Sequence, residues 1–174
     1  MIALLLGGAG SGKSLAAERL AATLAPPVTY VATWQPSDDP DMAGRVAAHR
    51  ARRPPFWTVL EVTGADLPVA LERLTGTALV DALGTWVAGA EGFSVPTAAL
   101  CRALRSRPGD SVVVSDEVGL GVHPATEVGR RFRDALGAVN QAVAAVADEA
   151  WLVVAGRVLS LDAPRWGGPR WGGQ

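Results

Sequence analysis

The chain is poor in cysteine, in net charge and in long apolar runs. Its 174 residues include one cysteine, Cys101, so no internal disulfide can form and a reducing compartment, the cytoplasm, is expected. The net charge of -1 gives no strong electrostatic attraction to nucleic acid or to an anionic membrane. The apolar stretch 142–155 is interrupted by Asp148 and Glu149, so it cannot span a bilayer. We therefore expect neither nucleic acid nor membrane as a partner, and any phosphate binding must be local.

The remaining composition is typical of one compact α/β domain, with 49% apolar and 19% charged residues. Short runs rich in β-forming residues occur at 2–6, 28–32, 58–62, 78–82, 111–115, 151–155 and 158–161. Most of them are uniformly apolar, which predicts a parallel sheet that helices cover on both faces, a doubly wound arrangement. The final run follows its predecessor across the tight turn Gly156-Arg157, so it should pair antiparallel at or near an edge.

Apolar spacing and proline placement predict two helices. Over 127–147, apolar residues recur three and four positions apart at Phe132, Leu136, Val139, Val143 and Val146. A second helix is predicted over 41–53, because Asp39-Pro40 favours a helix start and Pro54-Pro55 ends it. The tail 163–174 is rich in Trp, Gly and Pro without periodicity, so we expect a folded domain over 1–162 followed by a flexible tail.

One segment carries a specific phosphate-binding pattern. Gly7-Gly8-Ala9-Gly10-Ser11-Gly12-Lys13-Ser14 matches G-x-x-x-x-G-K-[ST] and lies between a predicted strand and the helical run 15–24. The glycines let backbone N–H groups turn inward at a helix N-terminus, which creates an anion site without net positive charge. Lys13 is predicted to neutralise the β and γ phosphates, and the Ser14 hydroxyl to bind Mg²⁺. The segment predicts a P-loop nucleotide enzyme.

A second oxygen ligand for the metal should lie at the end of another apolar strand. Asp81 follows Leu79-Val80, and the pair Asp116-Glu117 follows 112–115, so both positions are candidates. An acid at a strand end is also common as a cap or turn residue, and the pattern does not choose between them. The guanine-reading sequence N-K-x-D of regulatory GTPases is absent, which disfavours a G protein.

The predicted helix 41–53 places a histidine among arginines. Arg45, His49 and either Arg52 or Arg53 are three or four residues apart, so they share one face. Guanidiniums would suit a triphosphate, and like-charge repulsion would keep the imidazole neutral and nucleophilic. A solvated basic face explains the same spacing, since Arg50 lies elsewhere on the helix. Periodicity does not decide between the two interpretations.

These segments together resemble the bifunctional adenosylcobinamide kinase and adenosylcobinamide-phosphate guanylyltransferase family, over nearly the whole chain. Besides the P-loop, the resemblance rests on Tyr30-Val31-Ala32-Thr33, Asp41-Met42 with Arg45 and His49, Arg53-Pro54 with Trp57 and Glu61, Leu79-Val80-Asp81, Glu117-Val118-Gly119 with Gly121 and Pro124, Arg131-Phe132-Arg133-Asp134 with Gly137, Asn140-Gln141, and Asp148-Glu149. It implies a mostly parallel, RecA-like P-loop NTPase sheet that ends in an antiparallel strand.

The resemblance also implies the chemistry and its partners. The hydroxyl of adenosylcobinamide is phosphorylated by ATP or GTP with Mg²⁺, and GMP from GTP is then transferred to the product through a GMP-histidine intermediate. His49 occupies the position of that histidine, and Lys13 is the second catalytic residue. The family also implies a homotrimer with active sites near subunit contacts.

The resemblance extends the expected site beyond the P-loop. Asp81 is expected to bind the metal with Ser14. The expected nucleotide contacts outside the P-loop are Thr33, Trp34, Gln35, Arg45, Arg50, Ala51, Arg52, Arg53, Glu61 and Asp81.

The sequence departs from the family pattern at two places. Asp116 stands where asparagine is usual, which we interpret as a tolerated change from amide to acid, and His123 is expected to be an exposed loop residue. Two alternatives from other function classes remain at this point: a P-loop kinase of another small alcohol in which His49 is structural, and a nucleotide-dependent binding or assembly protein. A label retained on the chain from GTP labelled at the α phosphate would exclude a simple kinase.

Overall fold

The fold is built on one sheet of seven strands, seen in a computed structural model that describes residues 1–33 and 54–161. The strands are β1 Ile2–Gly7, β2 Val28–Ala32, β3 Thr58–Glu61, β4 Thr77–Asp81, β5 Ser111–Asp116, β6 Glu149–Val154 and β7 Arg157–Ser160. All seven lie within two residues of the predicted runs. Their order across the sheet is β3-β2-β4-β5-β1-β6-β7, with every pair parallel except β6 and β7. The predicted α/β class and the antiparallel edge strand are both confirmed.

Burial along the strands follows their position in the sheet. The central strands β1, β4 and β5 are almost entirely buried, as their uniformly apolar sequences predict. β3 and β7 lie at the two edges and are largely exposed; burial on both faces was expected for most of the strands, and β7 was predicted at or near an edge. An edge strand has one neighbouring strand instead of two, so its residues have fewer strand neighbours to cover them.

The helices cover both faces of the sheet. They are α1 Lys13–Ala21, α2 Asp66–Arg73, α3 Leu83–Ala88, α4 Thr97–Ser106 and α5 Glu127–Ala144, with a short 3₁₀ turn at Glu91–Phe93. Leu5 of β1 packs in a cluster with Ala17 and Ala21 of α1, whereas its neighbour Leu4 packs in the cluster that contains residues of α2 to α5. Successive β1 side chains thus pack into the cores on opposite faces of the sheet, as the two-residue period of a strand requires.

Helix α5 confirms the predicted amphipathic pattern. Leu136, Val139 and Val143 are buried, and the ring of Phe132 meets that of Phe93 edge-on with centroids 5.5 Å apart. Thr126 caps the helix start, because its hydroxyl accepts a hydrogen bond of 3.1 Å from the Gly129 amide. The helix ends at Ala144, three residues before the predicted 147.

Two predicted features lie outside the described residues. They are the helix 41–53 and the tail 163–174. The proposed domain end at 162 also lies outside the described residues. Within residues 1–33 and 54–161, no helix is long and apolar enough to cross a membrane.

Candidate active site at the phosphate loop

The candidate site lies at the carboxyl edge of the parallel strands, where the segment 7–14 connects β1 to α1. Gly12 precedes α1 with a φ of 91°, a left-handed conformation that L side chains rarely adopt. The loop is closed by a hydrogen bond of 3.2 Å from the Ser11 amide to the Gly8 carbonyl. Gly156, in the turn between β6 and β7, donates its amide to the Ser11 carbonyl at 2.8 Å. The antiparallel hairpin therefore supports the phosphate loop.

Lys13 is held by two oxygen atoms. Its ammonium group donates to the Gly8 carbonyl at 3.2 Å and forms a salt bridge of 2.8 Å with Oδ1 of Asp116 at the end of β5. The Lys13 side chain is only 11% exposed and that of Asp116 31%. Lys13 is also the one lysine in the whole sequence, a signal in composition that marks this position independently of the motif.

Ser14 and Asp81 form the second polar pair of the site. The Ser14 hydroxyl donates to Oδ1 of Asp81 at 3.2 Å, and the Tyr30 hydroxyl donates to Oδ2 of the same carboxylate at 2.6 Å. A hydroxyl and a carboxylate at this separation are the hard oxygen ligands that Mg²⁺ prefers, so these residues fit the ion. The structure thus joins Asp81 to Ser14 and Asp116 to Lys13, a division that the strand-end pattern left open, although the resemblance had paired Asp81 with Ser14 as expected metal ligands. Within residues 1–33 and 54–161 no group of three or more His, Cys, Asp or Glu is placed to hold a metal.

Thr33 and Glu61 lie at the same edge of the sheet. Thr33 directly follows β2, is 2% exposed, and bonds through its hydroxyl to the Ala82 carbonyl at 2.5 Å and to Oγ1 of Thr85 at 2.8 Å. Glu61 ends β3 and is exposed. The Thr33 side chain is therefore engaged within the protein, and a nucleotide contact by either residue stays a prediction.

Several expected site residues lie outside the part of the chain that the structure describes. They are Trp34, Gln35, Arg45, His49, Arg50, Ala51, Arg52 and Arg53. Their roles stay predictions. The other histidine, His123, is exposed as expected, and its Nδ1 lies 3.0 Å from a guanidinium nitrogen of Arg133.

The structure adds two residues that sequence reasoning did not assign to the site. Asn140 is 7% exposed on the buried face of α5; its amide accepts from the Ser115 hydroxyl at 2.6 Å and donates to the Asp116 carbonyl at 3.0 Å. Gly84 packs so closely that an added Cβ would overlap Oδ2 of Asp116. An asparagine among the apolar positions of α5 was a signal for the first. No local pattern marks the second.

Glu117, a candidate beside Asp116, has a local partner. Its carboxylate accepts a hydrogen bond of 2.6 Å from the Gly119 amide, and its own amide donates to the Gly7 carbonyl at 3.1 Å. Glu117 therefore shapes the turn after β5 and ties that turn to the end of β1.

Comparison with known proteins agrees with the family that the sequence resembles. The profile of the family described as cobinamide kinase / cobinamide phosphate guanyltransferase matches residues 3–161. The chain is 40% identical over 171 residues to the bifunctional adenosylcobalamin biosynthesis protein CobP of Pseudomonas aeruginosa, covering 91% of this chain and 95% of that protein. It is 39% identical over 177 residues to the bifunctional adenosylcobalamin biosynthesis protein CobU of Salmonella typhimurium, covering 90% and 97%.

Solved structures support the fold alone. A prototypical ATPase of a bacterial type III secretion system is similar with a TM-score of 0.53 at 12% identity, over 87% of this chain and 50% of that one. The assembled ATPase EscN from enteropathogenic E. coli gives a TM-score of 0.50 at 12% identity, over 88% and 43%. These similarities concern the arrangement of the sheet and its helices, not an activity.

Proposed function

The chain belongs to the cobinamide kinase / cobinamide phosphate guanyltransferase family, and from this premise we propose that it phosphorylates adenosylcobinamide and then attaches GMP to the product. The observation that carries the nucleotide part of the proposal is the arrangement of Lys13 and Ser14 at the start of α1, beside Asp81 at the carboxyl edge of the sheet. This arrangement places a lysine charge, helix-start amides and a metal-ligand pair within one phosphate-sized region.

In the kinase step, the hydroxyl of the aminopropanol arm attacks the γ phosphorus of ATP or GTP. A new O–P bond forms, the bond to the β–γ bridging oxygen breaks, and the hydroxyl proton leaves to solvent. Lys13 and the amides of 7–14 stabilise the charge that moves onto the β phosphate. Mg²⁺ bound by Ser14 and Asp81 would supply further neutralisation of the phosphate charge. No protein nucleophile takes part.

In the transferase step, we propose that His49 attacks the α phosphorus of GTP. An N–P bond forms and pyrophosphate leaves. A phosphate oxygen of cobinamide phosphate then attacks the same phosphorus, the N–P bond breaks, and its electron pair returns to the imidazole. Arg45 and the arginines 50, 52 and 53 are proposed to neutralise the two anions as they meet.

The test separates the two steps at His49. We expect wild-type protein incubated with GTP labelled at the α phosphate to retain an acid-labile, base-stable label, as a phosphoramidate should. His49→Ala should lose this label and guanylyl transfer by several orders of magnitude while retaining kinase activity, because only the second step needs an imidazole.

The matched control is His123→Ala, which removes the other of the two histidines and should keep the label. An adduct that survives in His49→Ala and disappears in His123→Ala would reassign the nucleophile. Phosphorylation of a different alcohol without any GMP adduct would instead identify a simple kinase.

Three further properties form part of the proposal. We propose a homotrimer, a cytoplasmic location, and a folded unit of 1–162 followed by a flexible tail at 163–174. The homotrimer and the location draw support from the family, and the single cysteine agrees with a reducing compartment.

A further inference from the structure

We propose that Asp116 makes nucleotide binding at the phosphate loop depend on a divalent cation, by placing a fixed carboxylate beside the lysine that binds phosphate. The proposal rests on the proposed function only in that the loop 7–14 binds a nucleoside triphosphate. It does not require cobinamide, His49 or either transfer step.

Asp116 is held at this position from several sides. Its Oδ1 forms the 2.8 Å salt bridge with Lys13. Its Oδ2 faces Gly84, where a side chain would not fit. Its backbone carbonyl accepts the hydrogen bond of 3.0 Å from the buried amide of Asn140. Strand pairing to β1 and the α5 contact fix the backbone of Asp116, and its short side chain keeps the carboxylate at this edge of the sheet, beside Lys13.

The position of the Asp116 carboxylate beside Lys13 sets its distance from a bound phosphate. A phosphate oxygen that bonds to the Lys13 ammonium lies about 3 Å from it, so it lies within about 6 Å of Asp116 Oδ1. At that separation, with partial burial, two negative charges repel enough to weaken binding by about tenfold to hundredfold. Within residues 1–33 and 54–161, Lys13 is the one cation in a salt bridge with Asp116. The phosphate must therefore share that cation with the carboxylate.

A divalent cation on the phosphates offsets this repulsion. It would reduce the negative charge that faces Asp116, and Ser14 and Asp81 are the residues that would hold it. The Asp116 carboxylate therefore weakens the binding of a metal-free nucleotide more than the binding of a metal-bound one. Asp116 would then select the metal complex over the free nucleotide, which is the form the kinase step requires.

The experiment measures ATP affinity by titration calorimetry on the full chain, with excess MgCl₂ and with EDTA. Asp116→Asn keeps the shape of the side chain and removes its charge. We expect this variant to bind metal-free ATP about tenfold to hundredfold more tightly than wild type, with a much smaller change for Mg-ATP. Asp134→Asn is the matched control, since it removes a charge that is 68% exposed and paired with Arg133; it should change neither affinity.

An equal change in both conditions would overturn the proposal, and so would weaker binding in both, which is the result expected if Asp116 only positions Lys13. If Asp116→Asn does not fold, as judged by circular dichroism, Asp116→Ser gives the same test with a smaller hydroxyl. Failure of the GMP-histidine assay would leave this result unchanged, because the titration contains neither GTP nor cobinamide.

Discussion

At the scale of single residues, Lys13 concentrates the phosphate chemistry. It is the chain's one lysine, it is nearly buried, and both of its partners lie in the candidate site. A lysine at the surface of α1 would be free to move, whereas this one is directed toward the loop by Gly8 and Asp116. Its charge therefore acts at one place.

We predict that Lys13→Ala abolishes nucleotide-dependent phosphorylation. The substitution removes transition-state stabilisation on the order of several kcal/mol, because the charge on the leaving phosphate loses the Lys13 ammonium. Transfer of label from the γ phosphate to cobinamide measures the effect. Arg19→Ala, at an exposed position of the same helix, is the control and should keep full activity. Near wild-type turnover in Lys13→Ala would contradict the assignment of this loop.

Cys101 illustrates a residue without a role in the site. It is partly buried against the core, and its thiol lies 3.5 Å from the Ala142 carbonyl. Burial raises the pKa of the Cys101 thiol, and the nearby Arg105 charge lowers it by a smaller amount. A raised pKa reduces the thiolate fraction at neutral pH. We predict that an aromatic disulfide reagent reacts with Cys101 more slowly than with a free thiol, and faster once denaturant is added. Equal rates in both conditions would show that the thiol is accessible.

At the scale of elements, Arg107 joins segments at the sheet edge opposite the site. It follows α4, is 6% exposed, and donates to the Gly76 carbonyl at 2.8 Å, the Ser111 hydroxyl at 3.0 Å and the Asp110 carbonyl. Burial lowers the pKa of its guanidinium, and Asp110 partly restores it. This one side chain ties the turn before β4 to the turn before β5.

We predict that Arg107→Ala destabilises the fold by about 2 to 4 kcal/mol, because buried carbonyls lose their charged donor. Urea denaturation followed by circular dichroism measures the loss. Arg102→Ala on the exposed face of α4 should change stability by less than about 0.5 kcal/mol. Equal stability of the two variants would mean that water replaces the Arg107 contacts without cost.

At the scale of the whole molecule, strand order assembles the site. β5 lies between β1 and β4, so the ends of these strands bring the loop 7–14, Asp116 and Asp81 to one edge. Beyond β1 and β6 the sheet ends in β7, whose Val158 and Leu159 side chains are 53% and 61% exposed. An open edge strand with exposed apolar side chains favours association with another chain.

We predict a homotrimer in solution. Light scattering coupled to gel filtration should give a mass three times the 18.0 kDa of one chain, unchanged across a dilution series. A mass of one chain at all concentrations would contradict the prediction.

Local sequence was enough to predict the features that depend on neighbouring residues. Uniformly apolar runs predicted the buried strands, because a central parallel strand is covered on both faces. The loop 7–14 was predictable because its anion site is made by consecutive backbone amides of one short segment. The edge position of β7 was also predicted, from the tight turn before it, whereas the exposure of β3 depends on which other strand lies at an edge.

The pattern of the local sequence did not show which acid meets which partner; the resemblance implied Asp81 with Ser14, and the tertiary structure added Asp116 with Lys13. Asp81 and Asp116 each follow an apolar strand. The sequence of neither segment indicates how far its acid lies from Lys13 or Ser14. The order β1-β5-β4 puts Asp116 beside Lys13 and leaves Asp81 for Ser14. The places of Gly84 and Asn140 against Asp116 were likewise beyond sequence reasoning, since close contact between distant segments is set by packing of the assembled sheet and helices.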